Sequence, residues 1–246
     1  MYNALKGYLM SGVLIFLACL PSIIFLIFIY KIDSFNKEPI SLLVRLFIFG
    51  IISVIPAIAF EILFMKLNFI GGFIGLAINA FLVIALTEEY FKRLTVKLVA
   101  YRSKEYDERL DGIVYCVVAS LGFATVENIM YVVQYSATNP YIWLTRALLS
   151  VPAHMLFGIT MGYYLSMSKF CNNPVLSKKY AAYSLWIPVF FHGLYDFLAL
   201  SGNTIFALLL FPLMIYLWIY NVKRLRIYYK ESKISNSIKH DENIGI

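Results

Sequence analysis

The chain has 246 residues, of which 61% are hydrophobic and 14% charged, with a formal net charge of +7. A soluble domain is roughly half apolar and a quarter charged, and no stretch of about 100 residues here is polar enough to form one. The basic excess is dispersed at the ends of apolar runs, which excludes a nucleic-acid footprint and points to membrane topology.

A hydrocarbon core about 30 Å thick requires roughly 20 helical residues, and seven runs meet that length: about 8–30, 42–65, 73–101, 111–136, 141–168, 180–200 and 203–222. They are continuous rather than alternating, so they predict helices and not barrel strands. The first is too long for a signal-peptide core and lacks a clean small-x-small cleavage site, so it is read as a helix, with Met1 expected to begin the mature chain. Pro56, Pro152, Pro188 and Pro212 fall inside spans, where neighbouring helices re-satisfy the freed carbonyls.

Charge sets the expected orientation. With the N-terminus outside, eighteen of the 21 Lys and Arg lie on the cytoplasmic side, and only Lys6, Lys66 and Arg146 remain outside. That is the positive-inside bias, and it requires an odd number of spans. The tail after Lys223 is polar and is expected to be loosely ordered. Cys19, Cys116 and Cys171 show neither metal-ligand spacing nor a disulfide framework.

The third run decides whether chemistry assembles. Its Gly-rich start, Asn68-Phe-Ile-Gly-Gly-Phe-Ile-Gly, suits an external loop or tilted entry, with the bilayer crossed nearer 79–101. Glu88 then lies about 20 Å from the inner face at 1.5 Å per residue. Glu127, His154 and His192 reach similar depth in the fourth, fifth and sixth runs.

Ionised side chains at that depth cost about 2.5 kcal/mol or more each and need a partner or a use. Glu88, Glu89, Glu127, His154, His192 and Asp196 are the residues concerned, joined by Lys92, Arg93 and Asn128. Glu88 and Lys92 stand at i,i+4, as do Glu89 and Arg93, so each carboxylate has a cation one turn away. His192 and Asp196 share the same spacing, which lets Asp196 fix the imidazole tautomer, while Gly193 leaves room for a backbone to approach. Carboxylates and imidazoles converging in a low-dielectric cavity suit general acid-base work. Glu61, taken singly, reads as a helix-packing hydrogen bond.

These residues fall into an ordered set of motifs: Glu-Glu-x-x-Lys at Glu88, Glu89 and Lys92; Phe-x-x-x-Glu at Phe123 to Glu127; and His-x-x-x-Asp at His192 to Asp196. The loop ending in Glu38-Pro39, Asp-Gly-Ile-Val-Tyr at Asp111, Gly-Phe-Ala-Thr-Val-Glu-Asn at Gly122 and His-Met-Leu-Phe-Gly at His154 accompany them. From about residue 21 to 222 the chain resembles the PrsW family of intramembrane proteases, within the superfamily of the CAAX prenyl endopeptidases and the Abi proteins. Compared with the CAAX enzymes, Glu127 replaces a histidine and Asp196 an asparagine.

The resemblance implies a general base at Glu88, a partner for it at Glu127, and an oxyanion-side pair at His192 and Asp196, with Glu89 and Arg93 positional. It leaves His154 as the imidazole that Glu127 does not supply. It also implies hydrolysis of a single-pass membrane protein such as an anti-sigma factor.

The expectation is therefore an all-α polytopic bundle of about seven spans in a cell membrane. Residues 1–222 form the protease domain and 223–246 a polar cytoplasmic tail. The expected enzyme is an intramembrane endopeptidase with glutamate-activated water and no cofactor. Two alternatives stay open: zinc held by Glu88, Glu127, His154 and His192, although no His-Glu-x-x-His spacing is present; and a transporter or binding scaffold, which also buries carboxylates and histidines.

Overall fold

The computed structural model describes residues 2–244, with side chains from 12 to 238. Seven helices form among the described residues, and no strand. They are α1 (Tyr2–Ile32), α2 (Ile40–Leu67), α3 (Gly72–Val99), α4 (Arg109–Tyr135), α5 (Ile142–Lys169), α6 (Pro174–Leu200) and α7 (Thr204–Ile244). Their order matches the seven apolar runs. Six are long and apolar enough to cross a membrane, and this is a multi-pass membrane protein. The exception is α6, whose apolar character is diluted by Lys178, Lys179, His192 and Asp196, yet it packs along α5 and the first half of α3.

The bundle is built around α4. Of its most apolar stretch 78% is buried, against 22% for α1 and 22% for α7, so α4 is the core helix and the other two present apolar faces outward. Lipid is as apolar as Leu, so close backbone approach rather than hydrophobic exclusion holds such helices together. Gly162 on α5 shows this directly: a Cβ there would run into the Gly112 carbonyl of α4.

Two helices carry wide turns at informative places. Asn79–Ala85 of α3 and Arg146–Ser150 of α5 are π-helical. Each insertion rotates the face of the helix that follows. The first precedes Glu88 and Glu89 by one turn; the second precedes His154 likewise, with Pro152 at the start of the α-helical turn that follows it. The Gly-rich stretch is mostly helical: only residues 68–71 are non-helical, and Gly72 turns the chain with φ +64. Asn68 closes this corner through the Gly75 carbonyl and the Asn79 side chain.

The tail departs from expectation. Residues after Lys223 continue α7 as helix, because Leu225, Tyr228 and Ser232, spaced three and four apart, make a buried stripe. Ser232 donates to Glu108, Arg109 meets Glu231 at 3.3 Å, and Asn236 donates to the Phe35 carbonyl. These contacts fasten the tail to the α1–α2 loop and the start of α4.

Candidate active site

The second half of α3 brings Glu88, Glu89 and Lys92 inward together, all 5% exposed or less. Lys92 Nζ donates to Glu88 Oε2 at 2.9 Å and to Glu89 Oε1 at 2.8 Å, and reaches His154 Nδ1 on α5 at 3.0 Å. Its ammonium also lies 4.3 Å from the centre of the Phe123 ring. One cation thus serves both glutamates. The expected Glu89–Arg93 pair does not form, because Arg93 turns to α6 and donates to Ser184 Oγ and the Ala181 carbonyl, both at 2.8 Å.

His154 has its second ring nitrogen, Nε2, 2.7 Å from Glu127 Oε2 on α4. Glu127 in turn lies 3.1 Å from Arg146 Nη2. Asn128 accepts from Arg146 Nε at 2.8 Å and donates to the Ala18 carbonyl, so it holds the arginine rather than the reacting centre. With Glu127 beside His154, the direct link between Glu88 and His154 is Lys92.

His192 enters from α6 and stacks on Phe157, ring centres 4.9 Å apart. Its Nδ1 lies 2.9 Å from Glu89 Oε1, while its Nε2 faces Asp196 Oδ2 at 3.4 Å and Glu88 Oε2 at 3.9 Å. The tautomer is therefore set by Glu89 from a neighbouring helix, and Asp196 stands at the other nitrogen. The space beside Gly193 is also taken, since a Cβ there would strike the Phe81 ring.

All six expected residues meet at a cavity of about 590 Å³: Glu88, Glu127, His154, His192 and Asp196 line it, and Glu89 backs it through His192. Val54, Ile58, Phe123 and Phe157 form much of its apolar wall. Two residues belong to the site that spacing did not reveal. Arg146 reads in sequence as a charge at an outer span end, yet its side chain is 9% exposed and paired with Glu127. Glu61, which reads as a packing residue, lines the cavity and accepts from Thr87 Oγ1 at 3.4 Å.

Glu88, His154 and His192 offer ligand atoms that all lie within 4.8 Å of one another. Two imidazoles and a carboxylate are a donor set for a zinc-class ion. Each imidazole also has its outer nitrogen at a carboxylate, Glu127 for His154 and Glu89 for His192, the arrangement that orients metal-ligating histidines. The residues fit such an ion by type and orientation. Glu127, a fourth ligand in the zinc alternative read from sequence, stands at His154 Nε2 and outside this group of three. Lys92 Nζ stands at two of the three donor residues, Glu88 and His154, where its ammonium would compete with a bound ion.

Residues 38–221 match the family described as PrsW family intramembrane metalloprotease. Among curated proteins, the chain is 35% identical over 221 residues to Protease PrsW of Clostridioides difficile strain 630, covering 89% of this chain and 93% of that protein. It is 38% identical over 208 residues to Protease PrsW of Oceanobacillus iheyensis, covering 84% and 91%. Protease PrsW of Bacillus subtilis strain 168 is 34% identical over 205 residues, covering 83% and 90%. No solved structure matches.

Proposed function

We propose, from the premise that this chain belongs to the PrsW family of intramembrane metalloproteases, that it hydrolyses a peptide bond of a single-pass membrane protein at the Glu88–His154–His192 triangle. The chain is a membrane protease of multi-pass architecture. The substrate class we assign is an anti-sigma factor, cut on its extracytoplasmic side. The observation that carries the reading is the convergence of two carboxylate-backed imidazoles and Glu88 on one buried point.

A zinc-class ion held by Glu88, His154 and His192 supplies, when bound, an acidified water and a polarised carbonyl. The remaining work falls to the protein. Glu127, fixed by Arg146, keeps a proton on His154 Nε2 and leaves Nδ1 as a lone-pair nitrogen. Glu89, fixed by Lys92, does the same for His192 through Nδ1 and leaves Nε2 facing the cavity. Asp196, at the cavity wall 3.4 Å from His192 Nε2, takes the proton of the attacking water and returns it to the leaving amine. The apolar wall receives a substrate segment whose scissile carbonyl has left its helical hydrogen bond, because a closed helix offers no free carbonyl to attack.

A second reading has its own observation. Lys92, at both Glu88 and His154, suits a metal-free reaction in which it keeps Glu88 ionised as the general base. Metal content of the purified protein, combined with cleavage in the presence of a chelator, separates the two. One equivalent of zinc and chelator-sensitive cleavage follow from the first reading. Full activity at substoichiometric metal would replace it with the second.

A further inference from the structure

Two of the sequence motifs have no part in this chemistry, and they meet each other. The loop from Asp33 to Glu38-Pro39 joins α1 to α2, and Asp111-Gly-Ile-Val-Tyr115 opens α4. Asp33 and Asp111 are completely buried, Glu38 is 4% exposed, and Tyr115 donates its hydroxyl proton to Glu38 Oε2. Asp33, Glu108 and Asp111 offer ligand atoms all within 4.8 Å of one another.

The hydrogen bonds in this cluster use one oxygen of each aspartate. Asp33 Oδ2 accepts from the Glu38 amide at 2.9 Å, and Asp111 Oδ2 accepts from the amides of Asp107 and Glu108 at 3.0 and 2.8 Å. Asp33 Oδ1 and Asp111 Oδ1 are left buried with no N–H or hydroxyl donor, and Asp111 lies against the Glu38 carboxyl. Nor does a basic side chain pair with Asp33, Glu38 or Asp111 among the described residues. Lys37 lies 4.8 Å over the Tyr30 ring, and Lys169 donates to the Tyr101 carbonyl at 2.7 Å.

Lys37 and Lys169 act on Asp33 and Asp111 only from a distance, and buried carboxylate oxygens without a close ion pair are costly. Burial raises the Asp33 carboxyl above its ordinary range, and burial and then the Asp33 charge help bring Glu38 up to about 7. The donor set is all oxygen and mostly carboxylate, with no imidazole or thiol, which selects hard cations over zinc.

We infer that Asp33, Glu108 and Asp111, with Glu38 beside them, form a second cation site, specific for a hard divalent ion of the Mg²⁺ or Ca²⁺ class, separate from the Glu88–His154–His192 group. The ligands come from the α1–α2 loop and the start of α4, and Glu108 also accepts from Ser232 of α7. Binding there ties three parts of the chain at one end of the bundle. It neutralises the charge of Asp33 and Asp111, which no side chain pairs within ion-pair distance among the described residues.

The test uses the full chain in detergent carrying His154→Ala and His192→Ala, so that the other donor group is dismantled and zinc is not the reporter. Mg²⁺, Ca²⁺ and Mn²⁺ are added singly, and bound ion and melting temperature are measured. One equivalent of at least one of these ions is expected, with a rise of about 5–10 °C at 100 times Kd. Asp33→Asn added to that background keeps an acceptor for the Glu38 amide and removes one charge. It should weaken ion binding at least tenfold, yet melt no lower than its parent in cation-free buffer. Absence of both binding and a melting shift in the parent overturns the proposal even if Asp33→Asn fails to fold, and so does equal binding by a folded Asp33→Asn. Either result leaves the proteolytic reading untouched, because Asp33, Glu38, Glu108 and Asp111 do not line the cavity.

Discussion

His192 Nδ1 lies 2.9 Å from Glu89 Oε1, so the imidazole on α6 is oriented from α3 rather than by Asp196 one turn along its own helix. This contact divides the two neighbouring glutamates by role. Glu88 faces the cavity, and Glu89 stands behind His192 with no exposed surface.

Glu89→Gln should therefore reduce kcat about 10–100-fold, the usual effect of losing a carboxylate behind a ligating histidine, and should weaken zinc binding by a similar factor. Asp196→Asn should also lower kcat but leave zinc affinity near wild type. Zinc competition titrations on both purified variants check the split.

Arg146 is the buried counter-charge of Glu127. Truncating one partner of a buried pair leaves the other uncompensated, at about 3–5 kcal/mol. Arg146→Ala should lower the melting temperature and abolish cleavage, whereas Arg146→Lys should recover part of both. Thermal unfolding in detergent, read beside a cleavage assay, measures this; an Arg146→Ala protein as stable and active as wild type would remove the arginine from the site.

The helix order, the inward-facing carboxylates and the three motif spacings were legible because they depend on run length and i,i+4 geometry, which a sequence displays. Cross-helix partners were not. Spacing pairs Glu89 with Arg93, but Lys92 and His192 take Glu89 while Arg93 finds Ser184 across the helix boundary. Arg146 reads in sequence as an outer anchor because burial of a charge at a span end leaves no periodic mark. The tail reads as polar because its buried stripe, Leu225, Tyr228 and Ser232, has only two large apolar members among six basic residues.

Lys92 Nζ occupies Glu88 Oε2 and His154 Nδ1, where it would compete with the proposed metal ion. Removing the ammonium takes a positive charge from beside the ion, so Lys92→Met should bind zinc at least tenfold more tightly than wild type. It should also melt lower without zinc, since Glu88 and Glu89 then lose their shared cation. Calorimetric titration of zinc into the stripped proteins provides the comparison, and equal affinities would place the ion elsewhere.

Gly162 sits where α5 crosses the Gly112 carbonyl of α4. Gly162→Val should separate the two helices that carry His154 and Glu127, giving protein that is poorly folded and inactive. Size-exclusion behaviour and melting would reveal this; a monodisperse, active Gly162→Val protein would contradict the close crossing.

The most direct test of the central claim is cleavage in reconstituted liposomes of a single-pass anti-sigma factor by wild type and by Glu88→Gln, His154→Ala and His192→Ala, each shown by melting to be folded. Cleavage by wild type and a loss of at least about 100-fold in each variant is the predicted result. Undiminished cleavage by all three folded variants would contradict the site.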